Sequence, residues 1–73
     1  MIKILSLTVY LVTKDQLKII KSFEVGVNDV ANIEIEHKEN QYRIKVTREN
    51  KTNETILVHK KYVYLEYESV PIE

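Results

Sequence analysis

Tyr62 and Tyr64 stand two residues apart beside Lys60 and Lys61, and this short run is the part of the chain best equipped to bind something. It reads His59-Lys60-Lys61-Tyr62-Val63-Tyr64-Leu65-Glu66-Tyr67. If Val63, Leu65 and Tyr67 face a core, Tyr62 and Tyr64 stand side by side outside it. Tyrosine anchors protein interfaces well because its ring is apolar and its hydroxyl wet. Exposed aromatics beside lysines are also how single-stranded nucleic acid is gripped, by stacking plus charge. The plain structural alternative is that these tyrosines merely suit a strand or pack in a second layer.

The other reactive side chains make poorer constellations. Glu34 and Glu36 are the one close carboxylate pair on a shared face, but a glycosidase-like acid and base need a cleft between them. On neighbouring strand positions opposite Lys45 and Arg43 they form a solvated charge ladder instead, each pair stabilising by about 0.2–1 kcal/mol. His37 and His59 lie far apart in the sequence and outside any metal-ligand spacing. His37 is expected to close a hairpin face against Tyr42. Ser6, Ser22 and Ser69 sit in no nucleophile motif. With one Gly, no Cys and no phosphate-cradling loop, the chain is expected to be non-enzymatic and to need no cofactor or metal.

The elements that position these residues follow from period-two alternation. Asn32 to Arg48 holds two such runs about a polar turn, with Ile33 and Ile35 on one face and Glu34 and Glu36 on the other. On the return, Tyr42, Ile44 and Val46 alternate with Arg43, Lys45 and Thr47, which specifies an antiparallel hairpin. With Glu39 and Asn40 at the tip, Ile33 opposes Val46, Ile35 opposes Ile44, Glu34 opposes Lys45 and Glu36 opposes Arg43. A slip of two positions keeps the faces but sets Lys38 against Arg43.

Ile2 to Val12 predicts a first strand with Leu5, Leu7, Val9 and Leu11 on one face and Ile4, Ser6, Thr8, Tyr10 and Val12 on the other. Near-continuous apolar character places it centrally, or against an interface. Lys14-Asp15-Gln16 is a turn. Leu17 to Val27 then predicts a second strand, with Leu17, Ile19, Phe23, Val25 and Val27 on one face and Lys21 the exception. Thr13-x-x-Gln16 also fits a capping box, so a short helix over about 14–24 is the alternative. Gly26, the lone glycine, marks a bulge or a corner between sheets. Glu49 to Glu54 is a polar loop. A parity switch at His59-Lys60-Lys61 separates Ile56 and Val58 from Val63, Leu65 and Tyr67, and Pro71 should end pairing by Val70.

These features predict an all-β chain: a small antiparallel meander of five or six strands curled into a barrel or sandwich. Seventy-three residues make a single small domain. A chain of this size buries only about 60% of its unfolded surface. Without cysteine it has no disulfide and no thiolate zinc site, so self-association is the remaining way to supplement a thin core. A homo-oligomer is therefore expected, tested first on Ile4, Tyr10 and Val12 of the opening strand.

The net charge is zero but uneven. Residues 1–37 carry four lysines against five acids, residues 38–61 seven basic groups against three acids, and residues 62–73 three glutamates alone. A dominant basic surface, the usual mark of a nucleic-acid binder, is lacking. Ile4 to Val12 is too short to span a membrane, which takes about 20 apolar residues. It also lacks the cleavage site of a signal peptide, so a cytoplasmic location is expected. Asn50-Lys51-Thr52 and Asn53-Glu54-Thr55 match a glycosylation sequon, best read as coincidence in a polar loop. The Lys-over-Arg, Ile- and Asn-rich usage is of the kind found in AT-rich bacterial and phage genomes.

The leading expectation is a protein-binding module of adaptor or inhibitor type that binds another protein or itself. The alternative is a small barrel holding single-stranded nucleic acid or a nucleotide through Arg43, Lys45, Lys60, Lys61, Tyr62 and Tyr64.

Overall fold

Where apolar and polar residues alternate the chain is extended, and where the alternation fails it turns. In the computed structural model, which describes residues 2–72, the described residues form six strands and no helix. They are β1 (Ile2–Val12), β2 (Leu17–Glu24), β3 (Val30–His37), β4 (Gln41–Arg48), β5 (Asn53–His59) and β6 (Val63–Pro71). All pairings are antiparallel, in two three-stranded sheets ordered β2-β1-β6 and β3-β4-β5. The meander order is thus broken twice: β3 starts a second sheet and does not pair with β2, and β6 returns to pair with β1 and not with β5. Neither sheet closes into a barrel. Both contribute to one core of Ile4, Leu7, Val9, Phe23, Val30, Ile33, Ile44 and Val46.

The β3-β4 hairpin pairs in the register the sequence specifies, Ile33 with Val46, Glu34 with Lys45, Ile35 with Ile44 and Glu36 with Arg43. His37 meets Tyr42 edge to face at 5.2 Å between ring centroids. Ile35, on the edge strand β3, is only half-buried and packs against the core from outside it. The helix considered over 14–24 gives way to a hairpin. Thr13, its would-be cap, donates both its amide (3.0 Å) and its hydroxyl (3.2 Å) to the Gln16 carbonyl and so clamps the β1-β2 turn.

Three single-residue bulges change which side chains face inward. In β1, Leu5 is the extra residue against β6, since Ile4 opposes Ser69 and Ser6 opposes Glu68. Ile4 therefore turns into the core with Leu7 and Val9, contrary to the face assigned by simple alternation. In β2 the extra residue is Ile20, between Ile19 (opposite Tyr10) and Lys21 (opposite Val9). That divides the apolar face expected for β2: Phe23 and Lys21 point inward, whereas Leu17 and Ile19 point out. Lys21 is no exception after all, since its ammonium reaches across to Glu54 of β5 at 3.6 Å. Ala31 is the third, and it lets Val30 and Ile33 both reach the core. One inserted residue inverts the parity of everything beyond it.

Gly26 makes the corner between the sheets. Its φ of +91° suits glycine, and its amide bonds the Val30 carbonyl at 2.9 Å. Asn28 and Asp29 follow at φ 52° and 65°, values these side chains tolerate better than most. The sequence leads β5 into β6 through the turn Lys60-Lys61-Tyr62, where the expected parity switch occurs. The polar loop is shorter than expected because β5 begins at Asn53. Pairing also runs one residue further than expected, with Pro71 opposite Ile2. An edge strand allows this, because a missing N–H on its free side costs no ladder bond. Among the described residues, no helix is long and apolar enough to cross a membrane.

Candidate functional site

The outward face of the β2-β1-β6 sheet carries two adjacent rows of uncovered apolar side chains. Antiparallel register sets Ile19, Tyr10 and Tyr64 side by side across the three strands. The next row on the same face holds Leu17 and Val12, and Tyr62 completes it, its carbonyl accepting the Val12 amide at 2.8 Å. Leu17, Ile19, Val12, Tyr62 and Tyr64 remain 54, 59, 43, 54 and 48% exposed. Tyr10 is half-buried between its neighbours, its ring tilted against Tyr64 with centroids 5.9 Å apart.

The polar groups around this patch are arranged along the strands. On one side, Tyr10 donates a long hydrogen bond of 3.4 Å to Glu66. Desolvation, then the Glu66 charge and hydrogen bond, then Tyr64, hold the Tyr10 phenol above the ordinary tyrosine range. Glu68 and Glu24 lie one row further out, both opposite Ser6. At the other end is the β5-β6 turn. There Lys61 lies 5.8 Å from the Tyr62 ring centre, and His59 packs on the same ring at 5.3 Å. The His59 Nδ1 accepts the Lys61 amide at 3.2 Å, which fixes the turn that presents Tyr62.

Of the six residues singled out in the sequence, the structure gathers three. Tyr62, Tyr64 and Lys61 share this end of the face. Lys60 turns the other way and lies 5.1 Å over the Tyr42 ring of the second sheet. Arg43 and Lys45 alternate with the buried Ile44 and Val46, so they point outward from the opposite layer. The charge ladder there has the expected register, yet Glu36 pairs with Lys38 and not across the strand to Arg43. Lys38, with a smaller contribution from Arg43, holds the Glu36 carboxyl below the usual range.

Tyr10 and Val12, expected on an uncovered face of the first strand, join this patch, whereas Ile4 is buried in the core; Leu17 and Ile19, expected to face inward with Phe23, are the members that alternation misplaces. The Ile19-Ile20 pair was the available signal, since two consecutive isoleucines cannot both face one core. A groove of about 350 Å³ lies elsewhere, lined by Phe23, Glu24, Val27, Asn28, Val30 and Arg48 among others. Its guanidinium is already engaged, by the Asn28 carbonyl at 2.8 Å and by Glu54 at 3.2 Å.

Neither a protein family, a curated protein nor a solved structure matches this chain. Function has to be read from the geometry.

Proposed function

We propose that the protein is a non-enzymatic protein-binding module, a small two-layer β-sandwich whose docking surface is the outward face of the β2-β1-β6 sheet. The two in-register apolar rows, Ile19-Tyr10-Tyr64 and Leu17-Val12-Tyr62, carry this reading. Aromatic and aliphatic side chains that a thin core leaves uncovered are the groups from which binding hot spots are built. A flat strand-paired platform supports them, so little ordering entropy is lost on contact. An adaptor or an inhibitor needs no more than this.

The nucleic-acid alternative needs cations and stacking rings on one path. Lys61 is the one named cation beside the tyrosines, while Lys60 lies over Tyr42 and Arg43 and Lys45 project from the other layer. Fluorescence anisotropy with a mixed-sequence single-stranded oligonucleotide separates the two readings. Binding through phosphates would weaken with salt by about 0.7 log units per contact per decade. We expect no binding at about 150 mM salt, and capture from a host lysate of a protein that Tyr62→Ala with Tyr64→Ala releases. Micromolar oligonucleotide binding that disappears in Lys60→Glu with Lys61→Glu would make the nucleic-acid reading the correct one.

A further inference from the structure

The docking face is self-complementary, and we infer that its occupant is a second copy of this chain. The inference rests on the protein-binding reading above and names the partner.

Area is the first argument. The five exposed side chains Leu17, Ile19, Val12, Tyr62 and Tyr64 together offer on the order of 500 Å² of mostly apolar surface. A stable pairwise interface buries about 800 Å² a side. The patch supplies the centre of such an interface, and its polar neighbours can supply the rim.

Charge is the second argument. Along the strands the face runs from Lys61 at the β5-β6 turn, through the two apolar rows, to Glu66 and then Glu24 and Glu68. The nearby β1-β2 turn adds Lys14 and Asp15, which offset each other. A face that is basic at one end and acidic at the other repels a parallel copy and attracts an inverted one. The fitting operator is a two-fold axis lying in the plane of the interface, across the strands and midway between the apolar rows. It sets β6 over β6, places the Leu17-Val12-Tyr62 row on the partner's Ile19-Tyr10-Tyr64 row, and brings Lys61 over the partner's Glu66. The row beyond the apolar pair on one side is Glu66; on the other side it is the turn bearing Lys61. The isologous contact therefore makes the same ion pair twice.

Glu66 can serve both contacts. Tyr10 uses one carboxylate oxygen through a long bond, which leaves the second for the partner's Lys61. The hydrophobic centre is flanked by charge at both ends, so register along the strands is specified as well as affinity.

The test is a charge swap read by sedimentation equilibrium on the whole chain. The wild type should dimerise in the micromolar range, and Ile19→Lys should weaken it at least tenfold without changing the far-ultraviolet spectrum or the urea midpoint extrapolated to monomer. Lys61→Glu alone sets a carboxylate against Glu66 twice in each dimer, and Glu66→Lys alone places two ammonium groups together. Each should dimerise several-fold more weakly. An equimolar mixture of those two variants restores attraction at both ends of the heterodimer, because one copy then carries two carboxylates and the other two ammonium groups, and the double variant Lys61→Glu with Glu66→Lys restores both ion pairs with their signs exchanged. The double variant should associate as tightly as the wild type. Isotope-filtered NOEs between Leu17 of one wild-type copy and Ile19 of the other give the same answer without any substitution. A monomer at about 500 µM, a dimer indifferent to Ile19→Lys, a double variant no tighter than its components, or missing intermolecular Leu17–Ile19 NOEs would each overturn the inference. A monomer refutes the dimer alone, because capture of a different protein through the same tyrosines reads the broader proposal separately; oligonucleotide binding refutes both.

Discussion

Replacing Ile44 by alanine tests whether the core is shared by the two sheets as described. Ile44 lies on the middle strand of the β3-β4-β5 sheet, between Ile35 and Ile56, and is 0% exposed. The substitution removes three buried carbons, a transfer loss of about 2.4 kcal/mol. The void left behind adds about 1–2 kcal/mol, because a strand held by ladders on both sides cannot collapse inward. The expected loss is therefore about 3–4 kcal/mol, a third or more of the about 4–11 kcal/mol typical of a chain this long. Urea denaturation followed by circular dichroism measures it. With a slope near 1 kcal/mol per molar, the midpoint should fall by about 3 M. All samples should share one protein concentration, since association adds to apparent stability. Leu57→Ala is the internal control: it lies on the adjacent strand but points outward, 58% exposed opposite Arg43, and should cost under about 0.5 kcal/mol. A loss at Ile44 below about 1 kcal/mol, or equal to that at Leu57, would show that the inner face of this sheet is not packed against the other.

Gly26→Ala should destabilise by about 1–2 kcal/mol from backbone strain alone, because a Cβ there meets nothing within 4 Å. Gly26→Asn should lose less, and a neutral alanine variant in thermal melts would refute the corner geometry. Arg48→Met should cost about 1–2 kcal/mol by unfastening the Asn28 carbonyl and Glu54, where an unchanged urea midpoint would mean these bonds are idle. The raised Tyr10 ionisation makes a stability contribution that is fully present below the ordinary tyrosine value and is lost as pH rises through the raised one. Ultraviolet titration should show one late phenol that Glu66→Gln moves only part of the way back, since desolvation is the larger cause; a complete return would reverse that order. For Glu36, held low by Lys38, the contribution is present above the ordinary carboxyl value and lost as pH falls through the depressed one. Carbon-detected NMR titration of Lys38→Ala should show the Glu36 midpoint rising, and an unmoved midpoint would exclude the pair.

The β3-β4 hairpin was legible in the sequence to the residue because everything that fixes it is local. Alternation sets its faces, opposite charges at Glu34, Glu36, Arg43 and Lys45 select among registers, and the turn at Glu39-Asn40 closes a short loop. The β5-β6 turn was legible too, from the parity change at His59-Lys60-Lys61, as was the corner at the lone glycine. What alternation could not supply was the inward or outward sense of Ile4, Leu17 and Ile19. A bulge inserts one residue without any required side-chain type, so period two continues across it while the faces exchange. Leu5 and Ile20 become the extra residues only because their strands must pack onto a second sheet and pair with β6 and β1 at the same time. The candidate face depends on the same non-local step. Tyr10 and Tyr64 are 54 positions apart in the chain, and no local pattern brings them together. The return of β6 to the edge of β1 places Tyr62 and Tyr64 beside Val12, Leu17 and Ile19, whereas Arg43 and Lys45 remain on the other layer. The residue types that could bind were therefore visible in the sequence, but their grouping on one surface was decided by long-range strand pairing.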